Sequence, residues 1–325
     1  SKEVLQSKSD YEFPFIRPRE YYDEQNIELM LGVAANAINP AAKTVSLAAG
    51  ETVSYDKLLL TTGGRVRKLP IPGSERAGTH YLRTLEDANA IEAALGEGAN
   101  LVVVGGGFIG LEVAASACQR GCKVTVLEIA DRLMGRGVPP SVSSFFLNLH
   151  RGNGVDVRLS SGLERIEGAE AVSGVTIQSG ELLPADAVVI GVGIIPDTDL
   201  AEDAGLDVED GIVVDECCRT SAPDIYAAGD VTQHYNTHSD KRIRLEAWQC
   251  AQNMAIAAAR IMCGDETPYS EVPWMWSDQF DANLQVAGVP DSWVDIVMRG
   301  DPSAGAFIGF VLGERGISGA IAVNQ

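Results

Sequence analysis

The segment LVVVGGGFIGLE, residues 101–112, restricts the possible folds more than any other stretch of this sequence. The β-branched run Leu101–Val104 indicates a short buried strand, and the glycine pattern Gly105, Gly107 and Gly110 follows it directly. Glycines in this spacing permit a tight turn, close approach of the backbone to a pyrophosphate, and tight packing of a helix on a strand. The segment therefore predicts a dinucleotide-binding turn.

The residues after this turn complete a βαβ unit. Helical character extends over Phe108–Arg120 and stops at Gly121, and Lys123–Glu128 alternates as a second strand. The N-terminus of the helix faces the turn, where its unpaired N–H groups favour an anion. Glu128 closes the second strand 18 residues after Gly110, where an acid accepts hydrogen bonds from both ribose hydroxyls and repels a 2′-phosphate. The pattern thus favours NAD(H) over NADP(H).

The charge balance limits the possible partners. With 45 acidic against 25 basic side chains, the net charge is −20. Repulsion on this scale disfavours nucleic acid and anionic membrane surfaces. The longest apolar run, residues 99–118, contains four glycines and Glu112, so it indicates a buried strand–turn–helix and not a membrane span. No leader pattern opens the chain, and we expect a soluble cytoplasmic protein.

The six cysteines indicate neither a metal site nor a disulfide framework. They lie at positions 118, 122, 217, 218, 250 and 263, and no C-x-x-C pair is present. Such spacings are typical of reduced thiols in a cytoplasm. Flavin disulfide reductases use closely spaced cysteines, and Cys118 and Cys122 are four positions apart. Both are better interpreted as small buried residues near a helix end.

Turn and periodicity signals place the elements around the βαβ unit. A hairpin is predicted to turn at Ala49–Gly50, and a buried strand follows at Lys57–Thr61. A helix is predicted over Thr84–Leu95, with Thr84 as N-cap and Asp87 placed for a capping box. Helical periodicity returns over Trp248–Met262.

The segment GIVVDECCRTSAPDIYAAGDV predicts a strand pair and a second glycine–acid turn, Gly229–Asp230. A buried strand is predicted before it, at Ala187–Ile190. The segment VPWMWSDQF opens a final strand-rich part of the chain.

Six motifs together resemble one family. TTGG, VVVGGGFIGLEVAA, GVGIIPDTDLA, TSAPDIYAAGDV, RLEAWQCAQ and PWMWSDQ occur in the order and spacing of the FAD-dependent NADH:ferredoxin reductases that serve bacterial aromatic-ring dioxygenases and heme monooxygenases, the putidaredoxin reductase type. The resemblance covers essentially the whole chain. It implies a cytoplasmic flavoprotein of aromatic hydrocarbon catabolism, an oxidoreductase that moves hydride from NADH to FAD and then single electrons to a ferredoxin.

The resemblance implies an α/β fold with two Rossmann-like nucleotide-binding domains. An FAD domain is split across both ends of an inserted NADH domain, and a C-terminal αβ interface domain follows. We expect the parts of the FAD domain at residues 1–80 and 205–268, the NADH domain at 81–204, and the interface domain at 269–325. The family has a further G-x-G-x-x-G at the start of its FAD domain and closing helices at its end, and we expect both to be missing from this chain.

The resemblance also implies roles for single residues. Lys2 takes the place of the family lysine at the reacting edge of the flavin, paired with Glu112, and a fixed cation there lowers the cost of the negative charge that hydride brings. Asp230 matches the acid that holds the FAD ribitol, and Trp276 matches the aromatic that lies against the flavin ring. The flavin-contact positions are Lys2, Ala35, Thr62, Gly63, Arg83, Gly229, Asp230, Trp248 and Trp276.

On the nicotinamide side, the matching positions are Gly105, Gly107, Phe108, Ile109, Gly110, Glu112, Glu128, Arg136, Gly193 and Glu246. Asp197 departs from the family's usual Asn in the loop after the proline. An acid inside the apolar run FIGLEVAA needs a partner, because an unpaired buried carboxylate is costly. No residue set predicts a metal ion.

The implied electron acceptor is a small acidic 2Fe–2S ferredoxin, with a terminal oxygenase reached indirectly. Local fields decide such encounters more than net charge does. The basic run Lys241, Arg242 and Arg244 is the candidate contact, and a solvated strand edge explains its charge pattern equally well.

Two alternatives stay open at this stage. The first is a related NADH reductase that acts on rubredoxin, a nitrite-reductase partner or a quinone. The second is an NAD(H)-responsive flavoprotein like apoptosis-inducing factor, in which reduction changes assembly.

Overall fold

The computed structural model describes residues 2–6, 15–289, 295–313 and 316–325. Lys2 begins the first helix, but its side chain lies outside the described part of the chain, so the predicted Lys2–Glu112 pair stays a prediction.

The helices are α1 (Lys2–Leu5), α2 (Arg19–Glu24), α3 (Leu85–Ala94), α4 (Phe108–Gln119), α5 (Pro140–Gly152), α6 (Asp199–Asp203) and α7 (Trp248–Met262), with a 3-10 turn at Pro302–Ala304. The first strands are β1 (Ala35–Asn39), β2 (Thr44–Leu47), β3 (Thr52–Ser54), β4 (Leu58–Leu60), β5 (Gly64–Val66), β6 (Thr79–Tyr81), β7 (Asn100–Val104), β8 (Lys123–Leu127), β9 (Asp156–Arg158), β10 (Leu163–Glu167), β11 (Gly174–Ile177) and β12 (Leu182–Pro184). The later strands are β13 (Ala187–Ile190), β14 (Ile194–Pro196), β15 (Val208–Glu209), β16 (Gly211–Val214), β17 (Ile225–Ala227), β18 (Thr232–Asn236), β19 (Lys241–Ile243), β20 (Trp274–Gln279), β21 (Ala282–Gly288), β22 (Ile296–Asp301), β23 (Ala306–Gly313) and β24 (Gly316–Val323).

The chain forms two compact units. The first unit contains the described residues of Ser1–Ser9, Arg65–Ile195 and Val272–Gln325, and the second contains those of Asp10–Gly64 and Pro196–Glu271. The predicted domain boundaries after residues 80, 204 and 268 stay predictions.

A five-stranded parallel sheet in the order β6-β13-β7-β8-β9 forms the centre of the first unit. Its middle strand β7 is buried, with Val103 fully inaccessible, which explains its run of valines. From β7 the chain continues to β8 and β9 on one side, and β13 later joins on the other side. The strand order therefore reverses at β7, and ligands of such sheets bind beyond the carboxyl ends of the strands at that point.

The first unit also contains the three-stranded antiparallel sheet β10-β11-β12 and, at the C-terminus, a five-stranded antiparallel sheet, β20-β21-β24-β23-β22. Its buried residues Leu284, Phe307 and Ile321 belong to the same hydrophobic cluster as Leu111 and Phe146 of the nucleotide-binding part. The C-terminal sheet and the helices of the βαβ region thus share one core, which excludes water from both.

The second unit contains three sheets. They are the antiparallel β1-β2-β3, the mixed β15-β16-β18-β19, and the parallel pair β4 and β17. Helix α7 packs on β17 and buries Met254 and Ala258. The chain passes between the units at β5 and β14, which pair with each other.

Most predicted elements are confirmed. The hairpin at Gly50, the strands around residues 58–60, 100–104, 123–127 and 187–190, and the helix Trp248–Met262 all form. The predicted strand pair in GIVVDECCRTSAPDIYAAGDV is wrong in its pairing. Both strands form, but β16 lies parallel to β18 and β17 lies parallel to β4, so they belong to different sheets. None of the described helices combines the length and the apolar composition of a membrane span.

The capping box at the start of α3 gives a direct test of the local sequence signals. The Thr84 hydroxyl accepts from the Asp87 N–H at 3.2 Å, and the Asp87 carboxylate accepts from the Thr84 N–H at 2.9 Å.

We predict that Thr84→Ala lowers the free energy of unfolding by about 1 kcal/mol, since the first turn loses an N-cap acceptor. Urea unfolding of the holoenzyme measures this change in the free energy of unfolding. Thr84→Ser keeps the hydroxyl and is the matched control; an equal loss in both variants contradicts the cap.

Candidate functional site

Two close backbone contacts shape the glycine turn after β7. Gly105 has a φ of +108°, and an added Cβ would lie 2.3 Å from the carbonyl oxygen of Gly191. A Cβ on Gly110 would lie 2.1 Å from the carbonyl oxygen of Gly105. Both contacts are too short for any side chain. They bring the start of α4 against the end of β7 and the turn after β13.

Gly107 is a glycine for a different reason. It is the N-cap of α4, its φ of −81° is open to any residue, and an added Cβ would meet no described atom within 4 Å. Packing within the described residues therefore does not require glycine here. The space outside this turn is where a bound pyrophosphate would approach the backbone.

Glu128 is held beside the same turn. Its carboxylate accepts from the Gly106 N–H at 2.7 Å through Oε2 and from the Ala130 N–H at 2.8 Å through Oε1. A carboxylate has about four acceptor positions. The two remaining ones can bind ribose hydroxyls, and the fixed negative charge disfavours a 2′-phosphate.

The other predicted nicotinamide-side residues lie in several elements. Phe108 and Ile109 form the first turn of α4, with Ile109 exposed, and Arg136 is an exposed residue of the loop after β8. Gly193 has a φ of +97° and lies at the carboxyl end of β13. Glu246 lies in the second unit, where it accepts from Arg244 at 2.5 Å.

Glu112 is buried, as its position in an apolar run predicts. Its side chain is 8% exposed, and its Oε1 accepts from the Ser277 hydroxyl at 2.6 Å. Ser277 lies on β20 of the C-terminal sheet. Ser277, 165 positions away in the sequence, is therefore a buried hydrogen-bond partner of the Glu112 carboxylate.

In the second unit, two predicted flavin-side turns lie side by side. Strands β4 and β17 are parallel, so their carboxyl ends share one edge, and these ends lead into Thr62–Gly63 and Gly229–Asp230. Gly63 and Gly229 have φ of +64° and +84°. Gly229 also faces the first turn of α7, because an added Cβ would lie 3.5 Å from Cβ of Ala251. The arrangement brings an acid, a hydroxyl and two glycines with positive φ to one edge.

The loop in which Asp197 replaces the usual Asn keeps its hydrogen bonds. The Thr62 hydroxyl donates to the Asp197 carbonyl oxygen at 2.6 Å, and the Asp197 N–H donates to the Gly63 carbonyl oxygen at 3.0 Å. Both bonds use main-chain atoms of residue 197, which Asp and Asn share. The substitution therefore leaves this part of the loop intact.

The remaining flavin-side positions divide between the units. Ala35 begins β1 and Trp248 begins α7 in the second unit, with Trp248 59% exposed. Arg83 and Trp276 lie in the first unit. The Trp276 ring is 37% exposed and stacks on Trp274 with 5.2 Å between centroids and 22° between planes. This stacking orients an aromatic face that is still accessible.

The basic run is less positive than its sequence indicates. Arg244 is only 15% exposed and lies between Glu246, at 2.5 Å, and Asp210, at 3.2 Å. Arg242 is exposed and donates to the Val214 carbonyl oxygen at 3.0 Å. The members of the run thus differ in exposure: Arg242 is exposed, Lys241 is half-buried, and Arg244 is largely covered.

No disulfide joins any of the six cysteines. Burial raises the pKa of the Cys118 and Cys122 thiols, and it raises the pKa of Cys218 to about 12. The Cys118 thiol donates to the Asn153 carbonyl oxygen at 3.1 Å, and the Cys122 thiol to that of Gly96 at 3.3 Å. These thiols are therefore poor sources of thiolate. Cys122 is buried as expected, whereas Cys118 is only half-buried.

Sequence reasoning missed three buried polar residues behind Glu112, namely Ser277, Gln279 and His150. A signal for two of them was present. Ser277 and Gln279 are two positions apart in the part of the chain predicted to be strand-rich, and residues at this spacing in a strand point to the same face. Polar residues on the core face of a strand indicate a buried partner, but the partner's identity needs the fold.

Comparison with known proteins agrees with this geometry. The pyridine nucleotide-disulphide oxidoreductase profile matches residues 1–255, and the reductase C-terminal profile matches residues 274–325. The chain is 43% identical to the anthranilate 1,2-dioxygenase system ferredoxin–NAD(+) reductase component of Burkholderia cepacia, covering 100% of this chain and 80% of that protein. It is 39% identical to putidaredoxin reductase of Pseudomonas putida, covering 97% and 76%.

A solved structure is similarly close. The reductase in the covalent putidaredoxin reductase–putidaredoxin complex superposes with a TM-score of 0.96 at 38% identity, over 99% of this chain and 79% of that chain. The family profile covers well over half of the residues, and the similar proteins extend over nearly all of them. This chain belongs to the pyridine nucleotide-disulphide oxidoreductase family.

Proposed function

We propose that this protein is the ferredoxin reductase component of a bacterial oxygenase system. The observation that carries the proposal is the continuous similarity, across both the nucleotide-binding part and the C-terminal sheet, to reductases whose names state that activity. Members of the family use FAD and NAD(H). When bound, FAD supplies the chemistry that accepts hydride from NADH and releases single electrons to a 2Fe–2S ferredoxin.

The described residues fit the nicotinamide coenzyme. Gly107 leaves open space at the N-terminus of α4, where N–H groups would bind the pyrophosphate. Glu128, fixed by the N–H groups of Gly106 and Ala130, would accept from the ribose. Its charge supports a preference for NADH over NADPH.

The second unit offers groups that fit FAD. Asp230 would accept from ribitol hydroxyls, and the positive φ values of Gly63 and Gly229 let the backbone approach a ligand. Thr62 is held in place by its bond to Asp197. Ala35, Arg83 and Trp248 are further proposed contacts.

For hydride transfer, the proposed residues are Glu112 together with Lys2. The Glu112 carboxylate is buried and held by Ser277, which keeps one charge at a fixed position. Trp276 presents an accessible ring face whose orientation is fixed by Trp274. That face excludes water from whatever ring lies against it.

The thiols do not support a disulfide as the acceptor, although the family name contains that word. Cys122 and Cys218 are buried and Cys118 is half-buried, and the pKa of each of the three thiols is raised by burial. Their reduced state fits a cytoplasmic protein, and we place the protein there.

The first test is spectroscopic. We predict that anaerobic NADH bleaches the visible flavin absorption of the holoenzyme, and that cytochrome c is then reduced rapidly only when a 2Fe–2S ferredoxin is added. Stopped-flow absorbance measures both steps. Bleaching without ferredoxin-dependent electron transfer refutes the acceptor, and a flavin that NADH leaves oxidised refutes the reductase.

A pair of glycine variants tests the nicotinamide site. We predict that Gly107→Ala weakens NADH binding by about tenfold or more, because the methyl group enters the pyrophosphate space at a cost of roughly 1–3 kcal/mol. Its free energy of unfolding should change by less than about 1 kcal/mol. Gly110→Ala should lose both binding and stability, since its Cβ would lie 2.1 Å from a carbonyl oxygen. NADH titration and urea unfolding measure the two effects; equal stability losses would argue against open space at Gly107.

Charge reversal tests the ferredoxin contact. We predict that Lys241→Glu with Arg242→Glu slows ferredoxin reduction by about three- to tenfold at low salt and flattens its salt dependence, because steering by these charges is lost. The rate of flavin reduction by NADH should not change. Lys123→Glu with Arg165→Glu alters the net charge equally in the first unit and is the matched control. If the control pair slows ferredoxin reduction to a similar extent, the effect comes from net charge and the contact at Lys241 and Arg242 is rejected.

A further inference from the structure

Four buried polar side chains form a line through the first unit. Glu112 on α4, Ser277 and Gln279 on β20, and His150 on α5 are 8%, 0%, 0% and 0% exposed. Burying polar groups is costly unless each is hydrogen-bonded. The line joins helices α4 and α5 of the nucleotide-binding part to the C-terminal sheet, through the Glu112–Ser277 and His150–Gln279 hydrogen bonds.

The hydrogen bonds in this line can run in only one direction. The Ser277 hydroxyl is 2.6 Å from Glu112 Oε1, and with Glu112 ionised the single proton of Ser277 is donated there, because a carboxylate only accepts. Ser277 Oγ therefore accepts from the Gln279 amide nitrogen at 3.1 Å. The Gln279 amide oxygen then faces His150 Nε2 at 2.9 Å, and this nitrogen must carry the proton.

His150 is the neutral end of the line. Burial lowers the pKa of His150, against the opposing effect of its bond to Gln279. Its Nδ1 has no hydrogen-bond partner among the described residues, and its ring packs edge-on against Phe280 with 5.1 Å between centroids. A neutral ring protonated at Nε2 satisfies the Gln279 oxygen without burying a second charge.

Gln279 also contacts the loop that closes the glycine turn. Its amide nitrogen lies 3.9 Å from the Met134 sulfur, and the Met134 N–H donates to the Gly106 carbonyl oxygen at 2.9 Å. One residue of the C-terminal strand thus supports Glu112 through Ser277 and the turn through Met134.

We propose that Ser277, Gln279 and His150 are positioning residues for hydride transfer, which hold the Glu112 carboxylate in one orientation. The C-terminal domain then contributes to the NADH side of the reaction as well as to the interface predicted for it. The proposal rests on the proposed function, because it acts through the role of Glu112.

A purely structural role is the competing explanation. Apolar residues of similar volume often stabilise a core as well as buried polar groups do. A gain in stability therefore does not explain why His150, Gln279 and Ser277 donate hydrogen bonds in series. A chain of donors that ends on a carboxylate polarises each bond in the same sense. Such a chain of hydrogen bonds holds the Glu112 charge in place. Its removal should therefore lower the rate of hydride transfer.

The test compares hydride transfer with binding and stability. Ser277→Ala and the near-isosteric Ser277→Cys remove the strong donor to Glu112 in the holoenzyme. We expect the single-turnover rate of flavin reduction by NADH to fall about tenfold or more, while the NADH dissociation constant stays within about twofold. In a Glu112→Gln background, Ser277→Ala should cause no further fall, because its effect passes through the carboxylate.

Thr176→Val is the matched control. Thr176 is a buried residue of the first unit whose hydroxyl also donates to a carboxylate, Glu167 Oε1 at 2.5 Å, on the three-stranded sheet β10-β11-β12. It should leave the rate of flavin reduction unchanged. Equal rates in the Ser277 variants and the unaltered protein, an equal fall in Thr176→Val, or a full further fall in the Glu112→Gln background would each overturn the proposal.

A second measurement does not depend on turnover. With ¹⁵N-labelled histidine, the nitrogen shifts of His150 in the NADH-free holoenzyme should report a neutral ring protonated at Nε2, identified by the signal that His150→Phe removes. A neutral ring protonated at Nδ1 would contradict the proposed direction of the hydrogen bonds from His150 to Glu112. If NADH fails to reduce even the unaltered holoenzyme, the proposed function fails; if reduction is normal and insensitive to Ser277, this inference alone fails.

Discussion

Two backbone contacts determine the geometry on which the first unit depends. Atoms of Gly110 and Gly105, and of Gly105 and Gly191, approach so closely that a Cβ on either residue would overlap a carbonyl oxygen. Helix α4 can therefore begin directly against the end of β7, at the point where the strand order of the sheet reverses. The position of every residue on α4 follows from this contact, including that of Glu112 one turn below its start.

Local signals were sufficient for elements whose cause is local. The capping box at Thr84 and Asp87, the βαβ unit and the helix Trp248–Met262 were all readable, because turn chemistry and side-chain period act over a few residues. The pairing of β16 and β17 was not readable. Each lies parallel to a strand brought beside it by the rest of the fold, and adjacency in sequence does not determine such partners.

The candidate site divides in the same way. The need for a partner at Glu112 followed from one residue in an apolar run, whereas the identity of Ser277, 165 positions away, depended on tertiary packing. The sequence pattern makes Arg244 part of the candidate ferredoxin contact, but Asp210 and Glu246 form ion pairs with it. Charge patterns predict which groups are present, and only the fold determines which of them stay available at the surface.

The core shared by the C-terminal sheet and the nucleotide-binding helices has a consequence for how such reductases can be recombined. Leu284, Phe307 and Ile321 pack in one cluster with Leu111 and Phe146, so neither part keeps a dry interior when the other is exchanged for a sequence of different shape. Chimeras between relatives should therefore swap residues 65–195 and 272–325 as one inherited block. Crossovers placed between these segments would create mismatched volumes and expose apolar surface to aggregation.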